Sequence, residues 1–119
     1  MKVAITATEN SLEGQLDPRF GRARYFLVYD LENDRSEFID NHQNLNAPQG
    51  AGVQSAQTVL DQQVGAVVSS NLGPRAHAIL SQAGVKIFQS EERPLKDIVE
   101  DLKNDRLNKI TGANVPGHW

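Results

Sequence analysis

Two strand-length runs separated by three residues constrain this chain more than any other feature. Residues 25–31 are almost continuously apolar or aromatic, as a strand covered on both faces would be. Residues 35–40 form a second strand-length segment, and Asn33-Asp34 between the two supplies turn chemistry. The pair reads as a hairpin. A hairpin here argues against a plain doubly wound parallel sheet, in which a helix would separate every pair of strands.

The remaining elements follow from periodicity and punctuation. Residues 2–8 place Val3, Ile5 and Ala7 on one face and read as a first strand, followed by an unusually long polar loop containing Asn10, Gly14 and Pro18. Beyond the hairpin, residues 41–52 hold Asn, Gln, Gly, His and Pro without a charged side chain and read as a loop. Val53, Ala56, Leu60 and Val64 then recur at helical spacing, with Gly65 near the end. Residues 66–69 form a short buried strand. Pro74 suits a first helical position, Ala76, Ile79, Leu80 and Ala83 continue the stripe, and Gly84 supplies a left-handed cap. Residues 85–88 make another strand, and Leu95, Ile98, Val99 and Leu102 mark a last helix opened by Pro94.

Short connections make the first three strands an antiparallel meander, and right-handed helical crossovers add the last two parallel to the first. The expected fold is α/β: a mixed five-stranded sheet in the order 3-2-1-4-5, of ribonuclease H-like type, with helices on both faces. Its 119 residues suit one domain, expected over residues 1–107, with residues 108–119 as an irregular tail.

Composition narrows the chemistry. The chain contains no cysteine, which excludes disulfides, a catalytic thiol, zinc-thiolate sites and an iron-sulfur cluster ligated by its own thiolates. Twelve basic against fifteen acidic residues give a net charge of -3, so nothing draws the protein in bulk to nucleic acid or an anionic membrane. No apolar run approaches the ~20 residues of a membrane span. The opening residues turn polar by Thr8, too soon for a signal peptide, and a cytoplasmic location is expected.

Any anionic ligand must then be held locally, and the topology directs attention to loops at the carboxyl ends of the parallel strands. The loop after the first strand carries Arg19, Arg22 and Arg24 within six residues and no acid among them. Such a cluster neutralises phosphate, carboxylate or a sulfidic anion, or else it is solvated and pairs with Asp17. The loop at residues 41–52 leads into a helix N-terminus, where glycine lets the backbone approach a ligand and unpaired amides favour an anion. Between Asn41 and Pro74 the only charged residue is Asp61. Asn71, in the turn after the fourth strand, is suited to capping, and His77 lies one turn into the next helix, opposite its apolar stripe. His42, His77 and His118 lack metal-site spacing, and there is no Walker pattern, GxGxxG or GxSxG. The first strand has no acid of the kind metal-dependent nucleases of this fold place there, so nuclease activity is disfavoured.

Taken together, Met1-Lys2-Val3-Ala4-Ile5, the Arg19-Phe20-Gly21-Arg22-Ala23 block with Tyr25-Phe26 beyond it, Gly50-Ala51-Gly52 and Asn71-Leu72-Gly73-Pro74 resemble the dinitrogenase iron-molybdenum cofactor-binding family of NifX and NafY type. The resemblance spans about residues 1–107. It implies a ribonuclease H-like fold and a non-enzymatic protein that carries metal-sulfide cofactors. Where that family often has histidine before Phe-Gly-Arg-Ala and a His-Gly-His-Gly motif, this chain has Arg19 and the Pro48-Gln49-Gly50 stretch. That replacement suits a preformed anionic cluster better than imidazole ligation of a metal. The pattern is similar to the small orange protein branch, associated with a noncovalent molybdenum-copper sulfide cluster. On this resemblance Arg19, Arg22 and Arg24 balance cluster charge, amides around Gly50, Gly52 and Gly73 donate to sulfides, and Phe20 beside Gly21 excludes water. Asn44, Asn71 and His77 complete the expected cofactor-binding set, with a protein partner for delivery or regulation. The competing reading is a regulatory or interaction module that binds a phosphorylated metabolite or a protein.

Overall fold

The structure, a computed structural model, describes residues 1–44 and 50–109. Residues 45–49, including Pro48 and Gln49 of the second loop, and the tail from residue 110, including His118, lie outside the described residues.

Strands β1 (Lys2–Ala7), β2 (Tyr25–Asp30) and β3 (Arg35–Asp40) form the expected antiparallel meander. After a short 3-10 turn (His42–Asn44) come α1 (Ala51–Leu60), β4 (Ala66–Ser69), α2 (Pro74–Gln82), β5 (Lys86–Gln89) and α3 (Leu95–Lys103). β4 pairs parallel to β1, with Ile5 opposite Val68, and β5 pairs parallel to β4.

A sixth strand, β6 (Asn108–Lys109), corrects the expected count of five and the irregular reading of those two residues. The sheet order is β3-β2-β1-β4-β5-β6, and β6 pairs antiparallel to Phe88 and Gln89 of β5. Two exposed polar residues carry no periodicity, so this strand leaves no pattern to read. Just before it Leu107 packs against the core beneath α3, and an ion-paired cluster lies beside it. Asp101 of α3 receives Arg93 on one oxygen and Arg106 on the other, the latter through Nε and Nη2 at 3.0 Å each.

The apolar side chains divide by alternation into two cores. On one face Ala4, Phe26, Val28 and Val67 pack against Ala56 and Val59 of α1 and Ala76 and Leu80 of α2. On the other, Val3, Ile5, Leu27 and Val68 pack against Leu95, Ile98 and Val99 of α3. The near-continuous apolar run of β2 is therefore the signature of a strand that serves both cores. The α1 stripe ends earlier than its spacing suggested: the helix stops at Leu60, Gln63 adopts a left-handed φ of 59°, and Val64 reaches the same core from the turn. Gly84 has the left-handed φ of 78° expected of the residue that closes α2.

The polypeptide leaves β4 toward the α1/α2 face and leaves β5 toward the α3 face. Connections therefore diverge at the carboxyl ends of these strands, the edge at which open α/β sheets bind ligands. The long loop after β1 is folded back onto this edge. Thr8 N–H donates to the Gln15 carbonyl (3.0 Å), Asp17 N–H to the Thr6 carbonyl (3.0 Å), and Leu16 N–H to the Arg93 carbonyl (2.9 Å).

The Arg93 and Arg106 guanidiniums hold the Asp101 carboxyl below the usual carboxylate range. A carboxyl depressed in the folded state stabilises the fold above its unfolded pKa, and that contribution disappears as pH falls through the folded value. Asp101→Asn should lower the urea midpoint at pH 7 but cost progressively less below about pH 4, so that the two proteins converge in acid-unfolding curves.

Candidate functional site

The segment from Asp17 to Arg24 crosses the carboxyl edge of the sheet, and each of its ends is fastened to a different strand exit. At one end Asn71, just beyond β4, donates its N–H to the Pro18 carbonyl (2.9 Å) and accepts from Phe20 N–H (3.2 Å) through its own carbonyl. At the other end Asn41, just beyond β3, donates its N–H to the Arg24 carbonyl (2.9 Å).

Between these ends the segment is held from below. Phe20 is fully buried, its ring centroid 5.4 Å from that of Phe26. The ring, which the resemblance assigns to excluding water, has no exposed surface and lies beneath the segment. It anchors the segment. Buried polar groups complete the attachment: the Asn41 side-chain amide donates to the Ala23 carbonyl (2.8 Å), and Ser55 Oγ of α1 donates to the Gly21 carbonyl (2.8 Å). Asn44 is also buried, its Nδ2 donating to Asn41 Oδ1 (2.9 Å), while its own Oδ1 has no hydrogen-bond partner among the described residues. Neither Asn41 nor Ser55 stood out in the sequence, because their burial is a product of tertiary packing.

Pinning the backbone fixes the arginine stems. Arg19 pairs with the buried Asp17, whose Oδ1 accepts the Arg19 backbone N–H (3.0 Å) and lies 3.6 Å from Nε. The Arg19 side chain still keeps 41% of its surface exposed. It is thus tethered by one carboxylate and open to solvent. Arg22 is half-buried. Arg24 is exposed and donates from Nε to His42 Nε2 (3.0 Å), while His42 Nδ1 contacts the Asp40 carboxylate. The His42 backbone N–H, then its ring, hold the Asp40 carboxyl below its ordinary value.

The N-termini of α1 and α2 lie side by side on this edge. A Cβ placed on Gly52, in the first turn of α1, would sit 3.6 Å from the Ala76 methyl in the first turn of α2. The residue preceding each helix, Gly50 and Gly73, is a glycine that provides no side-chain cap, and neither first turn contains an acid. Gly50 adopts a left-handed φ of 80°, which its lack of a side chain permits. The first-turn amides, unpaired within each helix, and the positive ends of two helix dipoles therefore face the same edge. Arg75, exposed in the first turn of α2, adds a cation where the helix dipole disfavours one.

Asn71 is half-buried, and its backbone stitches the two loops; it does not cap α2, whose cap position belongs to Gly73. His77 is half-buried at the end of the first turn of α2, with Nδ1 3.4 Å from Ser81 Oγ. Among the described residues no three His, Cys, Asp or Glu side chains gather as a metal site. The donor set offered by the edge, guanidiniums and amides, fits a preformed anion held by charge and hydrogen bonds. On the far side of the Pro18 and Asn71 wall, a separate polar cleft of about 580 Å³ opens toward α3, lined by Ser70, Ser90, Arg93 and Arg106 among others.

Comparison with known proteins bears on the family and the fold. Residues 1–105 match the family model described as dinitrogenase iron-molybdenum cofactor. The apo orange protein of Desulfovibrio gigas superposes with a TM-score of 0.91 at 31% identity over 96% of both chains. A Thermotoga protein described as a NifB candidate of the DUF35 family gives 0.84 at 28% identity over 98% of both. An uncharacterized protein of Methanocaldococcus jannaschii is 27% identical over 113 residues, covering 92% of each chain.

Removal of the supports should be costly. Phe20→Ala should destabilise the fold by about 3–5 kcal/mol through lost burial and a cavity. Asn41→Ala should cost about 1–3 kcal/mol by leaving buried carbonyls unpaired. Urea unfolding followed by circular dichroism measures both.

Proposed function

The chain belongs to the dinitrogenase iron-molybdenum cofactor family, and on that premise we propose that it binds and carries an anionic, molybdenum-containing metal-sulfide cluster. The cluster is held noncovalently and without catalysis. The observation that carries this reading is the pair of uncapped helix N-termini, free of first-turn acids, beside a pinned loop with three arginines.

The arginines neutralise the cluster charge, and the first-turn amides following Gly50 and Gly73 donate to its sulfides. Arg19 is tethered to Asp17, so less conformational entropy is lost when it meets the ligand. Phe20 serves from beneath by holding the backbone in place. Cargo bound through such contacts leaves when the surrounding charge changes, as transfer to a partner requires. A molybdenum-copper sulfide is the composition favoured by the likeness to the orange protein, and a cytoplasmic location and a partner for delivery belong to the same reading. Among the described residues no helix is long and apolar enough to cross a membrane.

Anaerobic addition of tetrathiomolybdate with copper(I), followed by desalting, metal analysis and optical spectroscopy, tests the proposal. The wild type should retain molybdenum and a sulfide-to-metal charge-transfer band. Arg19→Ala/Arg22→Ala/Arg24→Ala should bind at least about tenfold more weakly, since each charge-assisted bond contributes on the order of 1.5–3 kcal/mol. Failure of the wild type to retain any metal, with saturable binding of a phosphorylated metabolite instead, would favour the regulatory reading.

A further inference from the structure

His42 sits between two partners of opposite demand. Its Nδ1 contacts the Asp40 carboxylate, and its Nε2 receives the Arg24 Nε–H at 3.0 Å. A guanidinium only donates and a carboxylate only accepts. Both contacts are satisfied by one form of the ring alone, the neutral tautomer with its proton on Nδ1. Protonation would place a second N–H on Nε2, aimed at the Arg24 N–H, and that hydrogen bond would be lost.

The surroundings leave few other groups to respond. Tyr25 of β2 meets the imidazole edge-on, with centroids 5.2 Å apart. Asp40 of β3 remains ionised, being held below its ordinary value by the His42 N–H groups. Helix α1, which packs against the 3-10 turn, contains no ionisable side chain. Arg24 is therefore the only cation recorded in contact with the ring among the described residues.

We infer that His42 is a positioning residue for Arg24: the neutral ring holds the guanidinium in place, and protonation releases it and adds a positive charge beside it. Applied to cargo, which rests on the function proposed above, acidification strengthens capture of an anion and return to higher pH weakens it. His42 acts through Arg24 and ligates no metal.

The first arm of the test needs no ligand. Heteronuclear NMR of the imidazole and guanidinium nitrogens between about pH 8 and pH 5, the interval that spans histidine protonation, should show the Nδ1–H tautomer at high pH. The Arg24 Nε resonance should move with His42 protonation and stay fixed in His42→Gln, whose amide can donate to Asp40 and accept from Arg24 at every pH. An Nε2–H tautomer, or an Arg24 resonance indifferent to His42, overturns the inference.

The second arm measures anaerobic tetrathiomolybdate affinity at about pH 8 and pH 6.5. Affinity should rise toward the lower pH by up to about tenfold in the wild type, the value of one charge-assisted contact. It should be flat in His42→Gln. An equal rise in His42→Gln overturns the inference. If the first arm succeeds and no protein retains thiomolybdate, the coupling of His42 to Arg24 stands and the cargo reading falls.

Discussion

The burial of Phe20 beneath the segment from Asp17 to Arg24 is the constraint on which the rest of the site depends. An arginine-rich loop left to itself would be solvated and mobile, and the entropy lost on ordering it would weaken any ligand contact. Here one aromatic ring is committed to the core, while Asn41 and Ser55 hold the carbonyls of Ala23 and Gly21. Asn71 stitches the loop's opposite end to the exit of β4. The arginine stems thus leave a fixed backbone. The cost is a cluster of buried polar groups, acceptable because all but one of its side-chain atoms are paired.

That arrangement places charge without placing metal ligands. With no cysteine in the chain and no described cluster of three metal-binding side chains, the carboxyl edge offers guanidiniums and helix amides and no described set of metal ligands. Two helix N-termini, an arginine tethered to a buried carboxylate and another tethered to an imidazole all favour negative charge in the same region. On the proposed reading, retention is electrostatic, and release depends on ionic surroundings and not on breaking coordinate bonds.

Much of the fold is legible in the sequence. The Asn33-Asp34 turn separated this sheet from a doubly wound one, and Pro74 with Gly84 bracketed α2, because turns and helix ends are written in local chemistry. β6 was not legible, since its two exposed polar residues carry no pattern of their own. The end of α1 was overrun because Val64 has the right spacing and the right core but reaches it from a turn. At the site, three clustered arginines announced themselves. The full burial of Phe20, the Asn41 and Ser55 network and the bridge from Arg24 to His42 did not, because each depends on which surfaces tertiary packing closes.

The central claim is that the cargo is held from outside its own coordination shell. Molybdenum K-edge X-ray absorption of the protein loaded with tetrathiomolybdate and copper(I) tests it most directly. The account predicts a molybdenum first shell of sulfur alone, with copper as the next scatterer. A nitrogen or oxygen ligand contributed by the protein would contradict it.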